Sequence, residues 1–315
     1  MSQGGHVLAL CGGVGGAKLA FGLAAVLPEA RLTIVVNTGD DFEHLGLAIS
    51  PDIDTVTYTL AGKDNRETGW GVADETFTTM SELEALGGQA WFRLGDRDMA
   101  THLYRTQRMA EGATLSEATA ELARRRGLAV RILPMSDQPV RTMVTLAGED
   151  EPEVGFQHYF VRLRHSVPVR AVRFDGAAQA TPAPGVLEAI AQAELIVVCP
   201  SNPLVSIGPI LAVPGVRDAL VARRHDVVGV CPIIAGQALK GPADRLLVEL
   251  GHQSSVVGVA RLYADWVGTL VIDDADADLA DAVRAEGLRC VTAPTVMSDP
   301  GRSADLARTV LDARG

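Results

Sequence analysis

The sequence predicts an α/β fold, a doubly wound and mostly parallel Rossmann-like sheet, and three observations carry that prediction. Short apolar runs recur at 6–10, 32–36, 130–133, 195–199, 227–231, 269–272 and 290–293. Most lack polar/apolar alternation, as expected of parallel strands covered on both faces. Helical segments separate them, for instance at 185–193, 215–224 and 278–286. The first run ends in a glycine-rich turn and the second in an acid-rich one, and open parallel sheets bind ligands at such carboxyl ends.

Taken in order, the strand at 6–10 leads into Cys11, Gly12, Gly13, Val14, Gly15, Gly16, Ala17 and Lys18, and an amphipathic helix runs over 17–27 to Pro28. Glycines let the backbone approach an anion and turn N–H groups toward it, while a helix N-terminus adds partial positive charge. Gly12, Gly13, Val14, Gly15, Gly16 and Lys18 are therefore expected to hold phosphate. This is not a Walker loop, because Ala17 precedes Lys18 and Leu19 stands where a hydroxyl is required. Nor is it a clean dinucleotide fingerprint, since Lys18 takes the place of the last small residue. The second strand is also not followed by a single acidic residue in the ribose-binding pattern. Both points disfavour an NAD-dependent dehydrogenase.

The β-branched run at 33–36 ends in Asn37, Thr38, Gly39, Asp40 and Asp41, and Asp52 and Asp54 follow shortly before another apolar run. Four carboxylates beside a phosphate-binding turn indicate a hard-cation site or an acid/base site. Asp41 and Asp52 are the expected metal ligands, Asp41 and Asp54 the expected catalytic carboxylates, and Asn37 joins the nucleotide-binding set. The competing structural role for Asp52 or Asp54 is capping of the turn that starts near Thr55.

Two regions break the α/β rhythm. Residues 64–127 form a helical excursion, with helices expected after Asp98 and Ser116. Residues 140–175 form a small antiparallel excursion, with strands expected at 141–146, 154–164 and 169–174 and a turn at 148–152. Both are excursions from a single unit spanning 1–315. Within the first, Asp98 is expected to cap a helix over 99–108. Arg93 and Arg97 are placed to hold an anion or an aromatic ring. His102 is expected to be a satisfied structural histidine. Trp70 and Trp91 could stack on a flat ligand, with core packing the simpler expectation for each.

The strand at 195–199 runs into Pro200, Ser201, Asn202 and Pro203, followed by Ser206. Two prolines make the turn rigid, and Ser201, Asn202 and Ser206 can donate to phosphate or sugar oxygens. Ser206 could equally cap the next helix. Lys240, beyond the strand at 227–231, is a further phosphate partner.

Composition narrows the function class. A net charge of −11 without any Lys/Arg run disfavours nucleic acid or an anionic membrane as partner. Cys11, Cys199, Cys231 and Cys290 include no CxxC, so free thiols in a reducing cytoplasm are expected. A strand starts almost at once, leaving no room for a signal peptide. No apolar run reaches the length of a membrane span.

The motifs together resemble the 2-phospho-L-lactate transferase family, including its bacterial phosphoenolpyruvate transferase branch. The resemblance runs end to end, through CGGVGGAKL (11–19), NTGDD (37–41), SPDIDT (50–55), WGVADETF (70–77), WFRLGDRDMATH (91–102), PSNPLVSIGPIL (200–211), PII with KGPAD (232–234, 240–244) and VMSDP (296–300). It implies a magnesium-dependent transferase of coenzyme F-420 biosynthesis. Such an enzyme moves a phospholactyl or phosphoenolpyruvyl group from a guanosine diphosphate ester to the ribityl hydroxyl of the deazaflavin Fo, releasing GMP. It also implies a homodimer, and deazaflavin-binding positions at Asp54 and Arg93. Regulatory proteins of the same superfamily that bind nucleotide sugars share the glycine turn and parts of the NTGDD and PSNP turns. The WFRLGDRD segment and the Asp52/Asp54 pair favour the transferase.

Overall fold

Seven of the apolar runs assemble into one sheet in a computed structural model that describes residues 5–148 and 152–314. The strands are β1 (Val7–Cys11), β2 (Leu32–Val36), β3 (Arg131–Pro134), β4 (Leu195–Val198), β5 (Val227–Val230), β6 (Thr269–Asp273) and β7 (Arg289–Ala293). Their order is β7-β6-β5-β4-β1-β2-β3, and every neighbouring pair is parallel.

Strand β1 shows why these runs do not alternate. Leu8 and Leu10 join one core cluster and Val7, Ala9 and Cys11 the other, so both faces of the strand are buried. Each aliphatic side chain so buried contributes roughly 1.5–3 kcal/mol, which favours the most apolar strands at the centre of the sheet. On one face lie α1 (Gly13–Val26), α2 (Pro51–Leu60) and the C-terminal helix Pro300–Asp312, through Leu19, Leu23, Ile53, Val56, Leu306 and Val310. On the other lie helices Val186–Gln192, Val216–Ala222 and Val256–Tyr263. Strand order reverses between β1 and β4. The connections leaving these strands diverge and open a crevice at their carboxyl ends, the usual ligand position in such sheets.

The connection from β2 to β3 carries the helical excursion. It begins with a hairpin, Phe42–His44 against Leu47–Ile49, and continues through α2, α3 (Thr78–Ala85), α4 (Asp96–Ala110) and α5 (Leu115–Arg125). Helix α5 opens on a capping box formed by Thr114 and Glu117. The expected cap of α4 is corrected. The helix starts at Asp96, and Glu75 from across the excursion accepts the Arg97 and Asp98 N–H groups at 2.7 and 3.0 Å. Asp98 instead accepts the Tyr58 hydroxyl at 2.5 Å.

The second excursion is a three-stranded antiparallel sheet with Arg141–Leu146 between Glu153–Gly155 and Val169–Asp175. The strand expected at 154–164 is mostly wrong. Pairing stops at Gly155, and His158–Arg162 is a helical turn. Phe156, Tyr159 and Phe160 are spaced three to four apart, which gathers aromatics on one side of a helical turn, and Phe156 and Phe160 stack at 5.6 Å. The expected turn at 148–152 has residues 149–151 outside the described ones. All four cysteines are free. No single helix among the described residues is long and apolar enough to cross a membrane.

Candidate functional site

The carboxyl ends of β1, β2 and β4 bring three of the sequence motifs together. The glycine segment is less a loop than the first turn of α1, which begins at Gly13. The Ser201 hydroxyl locks it from the β4 side, donating to the Gly12 carbonyl at 2.8 Å and accepting the Gly12 N–H at 3.0 Å. Gly15 packs so closely on the same turn that a Cβ would lie 2.5 Å from the Pro200 carbonyl oxygen. Asn202 Oδ1 accepts the Leu204 and Val205 N–H groups at 3.0 and 3.4 Å. The cap expected of Ser206 is therefore supplied by Asn202, whose amide N–H groups remain for other partners. Val14 and Lys18 stand half-buried beside these turns. Lys18 Nζ donates to the Met297 carbonyl at 2.9 Å, which ties in the late VMSDP segment. Burial, and then the nearby Lys240 ammonium, depress the pKa of Lys18, while Asp64 opposes them.

Asp52 sits under the glycine turn. It caps α1 rather than its own helix, accepting the Gly13 N–H at 2.8 Å through Oδ1 and Asn37 Nδ2 at 2.9 Å through Oδ2. Asn37 Oδ1 in turn accepts the Gly39 N–H at 2.8 Å. Asp41 accepts the Ser50 hydroxyl at 2.7 Å through Oδ2. Asp41 Oδ1 and Asp40 Oδ1 are buried without a partner. Burial raises Asp41 to about 7 against the opposing pull of the Ser50 bond and of Arg141 and Arg105. Burial likewise raises Asp52 to about 6, opposed by its two N–H donors. Asp40 is pushed well above the carboxylate range by burial and then by Asp52 and Asp41. Clustered buried carboxylates with orphaned oxygens are what a hard cation would satisfy, so the residues fit a divalent ion here.

Asp54 faces elsewhere. In place of the alternative cap near Thr55, Asp54 forms a buried ion pair with Arg105. That guanidinium is fully buried and grips both carboxylate oxygens, Nη1 donating to Oδ2 at 3.1 Å and Nη2 to Oδ1. It also donates to the Ala48 carbonyl at 3.2 Å. His102 lies between two carboxylates, its Nε2 3.2 Å from Asp98 Oδ2 and its Nδ1 3.6 Å from Asp54 Oδ2. Asp54, Asp98 and His102 each offer an atom within 4.8 Å of the others and could hold a metal ion. Asp54 also pairs with Arg105, so part of its carboxylate is already engaged. Asp54, Asp98 and His102 line a cleft open to solvent, together with Tyr58, Trp70, Phe92 and Arg93. Arg93 is exposed, with its guanidinium 5.3 Å over the Phe77 ring.

Sequence reasoning missed Arg105 and Tyr58. Arg105 lies inside an amphipathic helix, and nothing local distinguishes it from a solvated arginine. Its partner is 51 residues away. The one available signal was its position three residues after His102.

A doubly wound sheet with a glycine-rich helix start and buried carboxylates at its switch point is the architecture of an α/β protein with a ligand crevice at the carboxyl ends of its strands. The family described as 2-phospho-L-lactate transferase CofD matches residues 7–306, and the chain belongs to it. The chain is 47% identical over 311 residues to the phosphoenolpyruvate transferase of Streptomyces griseus, covering 98% of both chains. It is 48% identical to that of Streptomyces coelicolor, covering 97% of both, and 40% identical to that of Mycolicibacterium smegmatis, covering 98% of both. The fold matches that of a UPF0052 family protein from Bacillus halodurans in two crystal structures. Their TM-scores are 0.60 and 0.63 at 16% and 17% identity, covering 98% of this chain and 100% of that one.

Proposed function

We propose that this transferase moves a phosphoenolpyruvyl group, or its phospholactyl counterpart, from a guanosine diphosphate ester to the ribityl hydroxyl of the deazaflavin Fo, in coenzyme F-420 biosynthesis. GMP leaves. The observation that carries the reading is the adjacency of two unlike subsites. A glycine-turn crevice suited to a diphosphate shares α2 with an aromatic cleft, and Asp52 serves the first while Asp54 lines the second. The name borne by the relatives at 40–48% identity supports enolpyruvyl over lactyl.

In this reading one unit spanning 1–315 carries both subsites. Gly12, Gly13, Val14, Gly15, Gly16, Lys18, Asn37, Ser201, Asn202 and Ser206 hold the guanosine diphosphate portion. Asp54 and Arg93 hold the deazaflavin. Asp41 and Asp52, with Asp40 beside them, would hold Mg²⁺, which when bound would neutralise charge on the diphosphate. The ribityl oxygen forms a bond to the phosphorus bearing the organic group, and the bridge from that phosphorus to GMP breaks. The hydroxyl proton passes to a carboxylate. Asp41, at the carboxyl end of β2, is the carboxylate that accepts it in this reading. Arg105 keeps Asp54 fixed, so that the acceptor is positioned rather than merely bound, which is the main catalytic task in phosphoryl transfer.

The test incubates the protein with Fo, Mg²⁺ and each candidate donor and weighs the deazaflavin product. A mass gain of the phosphoenolpyruvyl group with stoichiometric GMP is expected. Tight nucleotide-sugar binding with no deazaflavin product from any donor would replace this reading with a regulatory one.

A further inference from the structure

The cleft beside Asp54 has one wall that packing does not explain. Trp70 is 56% exposed, although the turn that carries it is firmly tied. The Gly69 N–H donates to the Asn65 carbonyl at 2.7 Å, and the Asn65 N–H donates to the Gly71 carbonyl at 3.1 Å. The Thr68 hydroxyl donates to the Trp70 carbonyl at 2.7 Å, and Lys240 Nζ to the Thr68 carbonyl at 2.9 Å. Gly69 adopts φ +80° and packs so closely that a Cβ would lie 2.8 Å from Val14 Cγ1. The indole is thus held in the open by a rigid turn. It shares the cleft with Phe92 and Arg93, and with the buried polar side chains of Asp54 and His102.

An aromatic wall above a polar base suits a ligand with a flat ring at one end and hydroxyls at the other. We propose that Trp70 is the stacking surface that selects a flat heteroaromatic acceptor. Its indole carries the tricyclic ring while the polyol chain reaches Asp54. This rests on the transferase reading above and adds the residue that recognises the ring. The donor's base is the competing occupant, since the glycine turn reaches the same segment through Val14.

Trp70→Ala and Trp70→Phe separate the outcomes. Losing one stacked ring weakens binding by about tenfold or more. Trp70→Ala should therefore raise the KM for Fo, and its Kd measured directly by deazaflavin fluorescence, by that factor. The melting temperature and the donor KM should stay unchanged, and Trp70→Phe should recover most of the affinity. Binding of Fo to the wild type should also quench indole emission, and Trp70→Phe should lose that quenching. Unchanged Fo affinity in folded Trp70→Ala, or a rise confined to the donor KM, would overturn the proposal while leaving the transferase reading intact. A wild-type protein that neither binds nor converts Fo would remove both.

Discussion

Asp54 and Arg105 show how one residue pair can serve both stability and chemistry. Breaking a buried ion pair leaves a charge without a partner and costs about 3–5 kcal/mol. Asp54→Asn should therefore melt well below wild type, a larger loss than the roughly 1 kcal/mol of a lost helix cap. If Asp54 also positions the acceptor, turnover at saturating Mg²⁺ and Fo should drop by about 10²–10⁴-fold. Early melting with normal turnover would reduce Asp54 to a counter-ion for Arg105. Asp41 makes a separate prediction about pH. Its folded pKa of about 7 lies above the usual 3.8, so the folded state holds the proton more tightly than the unfolded one. Its stabilising contribution is complete below about pH 4 and is lost as pH rises through 7. Asp41→Asn does not titrate, so its melting temperature relative to wild type should climb between pH 4 and 7 and level off above. The window corresponds to a few kcal/mol at about 1.36 per unit. Mg²⁺ at pH 8 should stabilise wild type and leave Asp41→Asn nearly unmoved, as read by scanning fluorimetry. Equal stabilisation of the two would move the cation elsewhere.

At the scale of elements, the start of α1 is defined by contacts to another strand's turn. Gly15→Ala must displace the Pro200 carbonyl from a 2.5 Å approach, which should cost about 1–3 kcal/mol and weaken GDP binding measured by calorimetry. A Gly15→Ala protein with wild-type GDP affinity and stability would mean that the two turns are only loosely coupled. Thr114→Ala, which removes the α5 capping box, should cost about 1 kcal/mol. Such contrasts indicate what was legible beforehand. The seven strands were, because unbroken runs such as Leu32–Val36 have few other uses in an α/β chain. The gathering of carboxylates at 37–41 and 52–54 at the carboxyl end of the second strand was legible, because so many acidic residues directly after one strand have few packing uses. The partition of that cluster was not. Asp52 and Asp54 are two residues apart on one helix, yet one turns under Gly13 and the other toward Arg105. Helix phase and a distant arginine decide that, and neither is a local signal. The strand expected across 154–164 failed for a related reason, since its aromatics satisfy helical spacing as readily as a strand's composition.

Over the whole molecule, the sheet's order places β1 between β2 and β4, so the strand at the heart of the fold is completed by a partner far along the chain. A fragment covering residues 1–180 contains β1, β2, β3 and both excursions but leaves the β4 side of β1 uncovered. It should show no cooperative thermal transition by circular dichroism. A sharp transition in that fragment would make the N-terminal half an independent folding unit. The hydrogen bonds between Gly12 and Ser201 span 189 residues, and this separation has a meaning in time as well as in space. At about 5–20 residues per second, roughly 10–40 s pass on the ribosome between synthesis of the glycine turn and synthesis of the serine that locks it. Throughout that interval the nascent chain displays Leu8, Leu10 and an unpaired strand edge. The yield of active protein should therefore depend on what shields that edge during translation, and expression should respond to chaperone supply more than a chain rich in local contacts would.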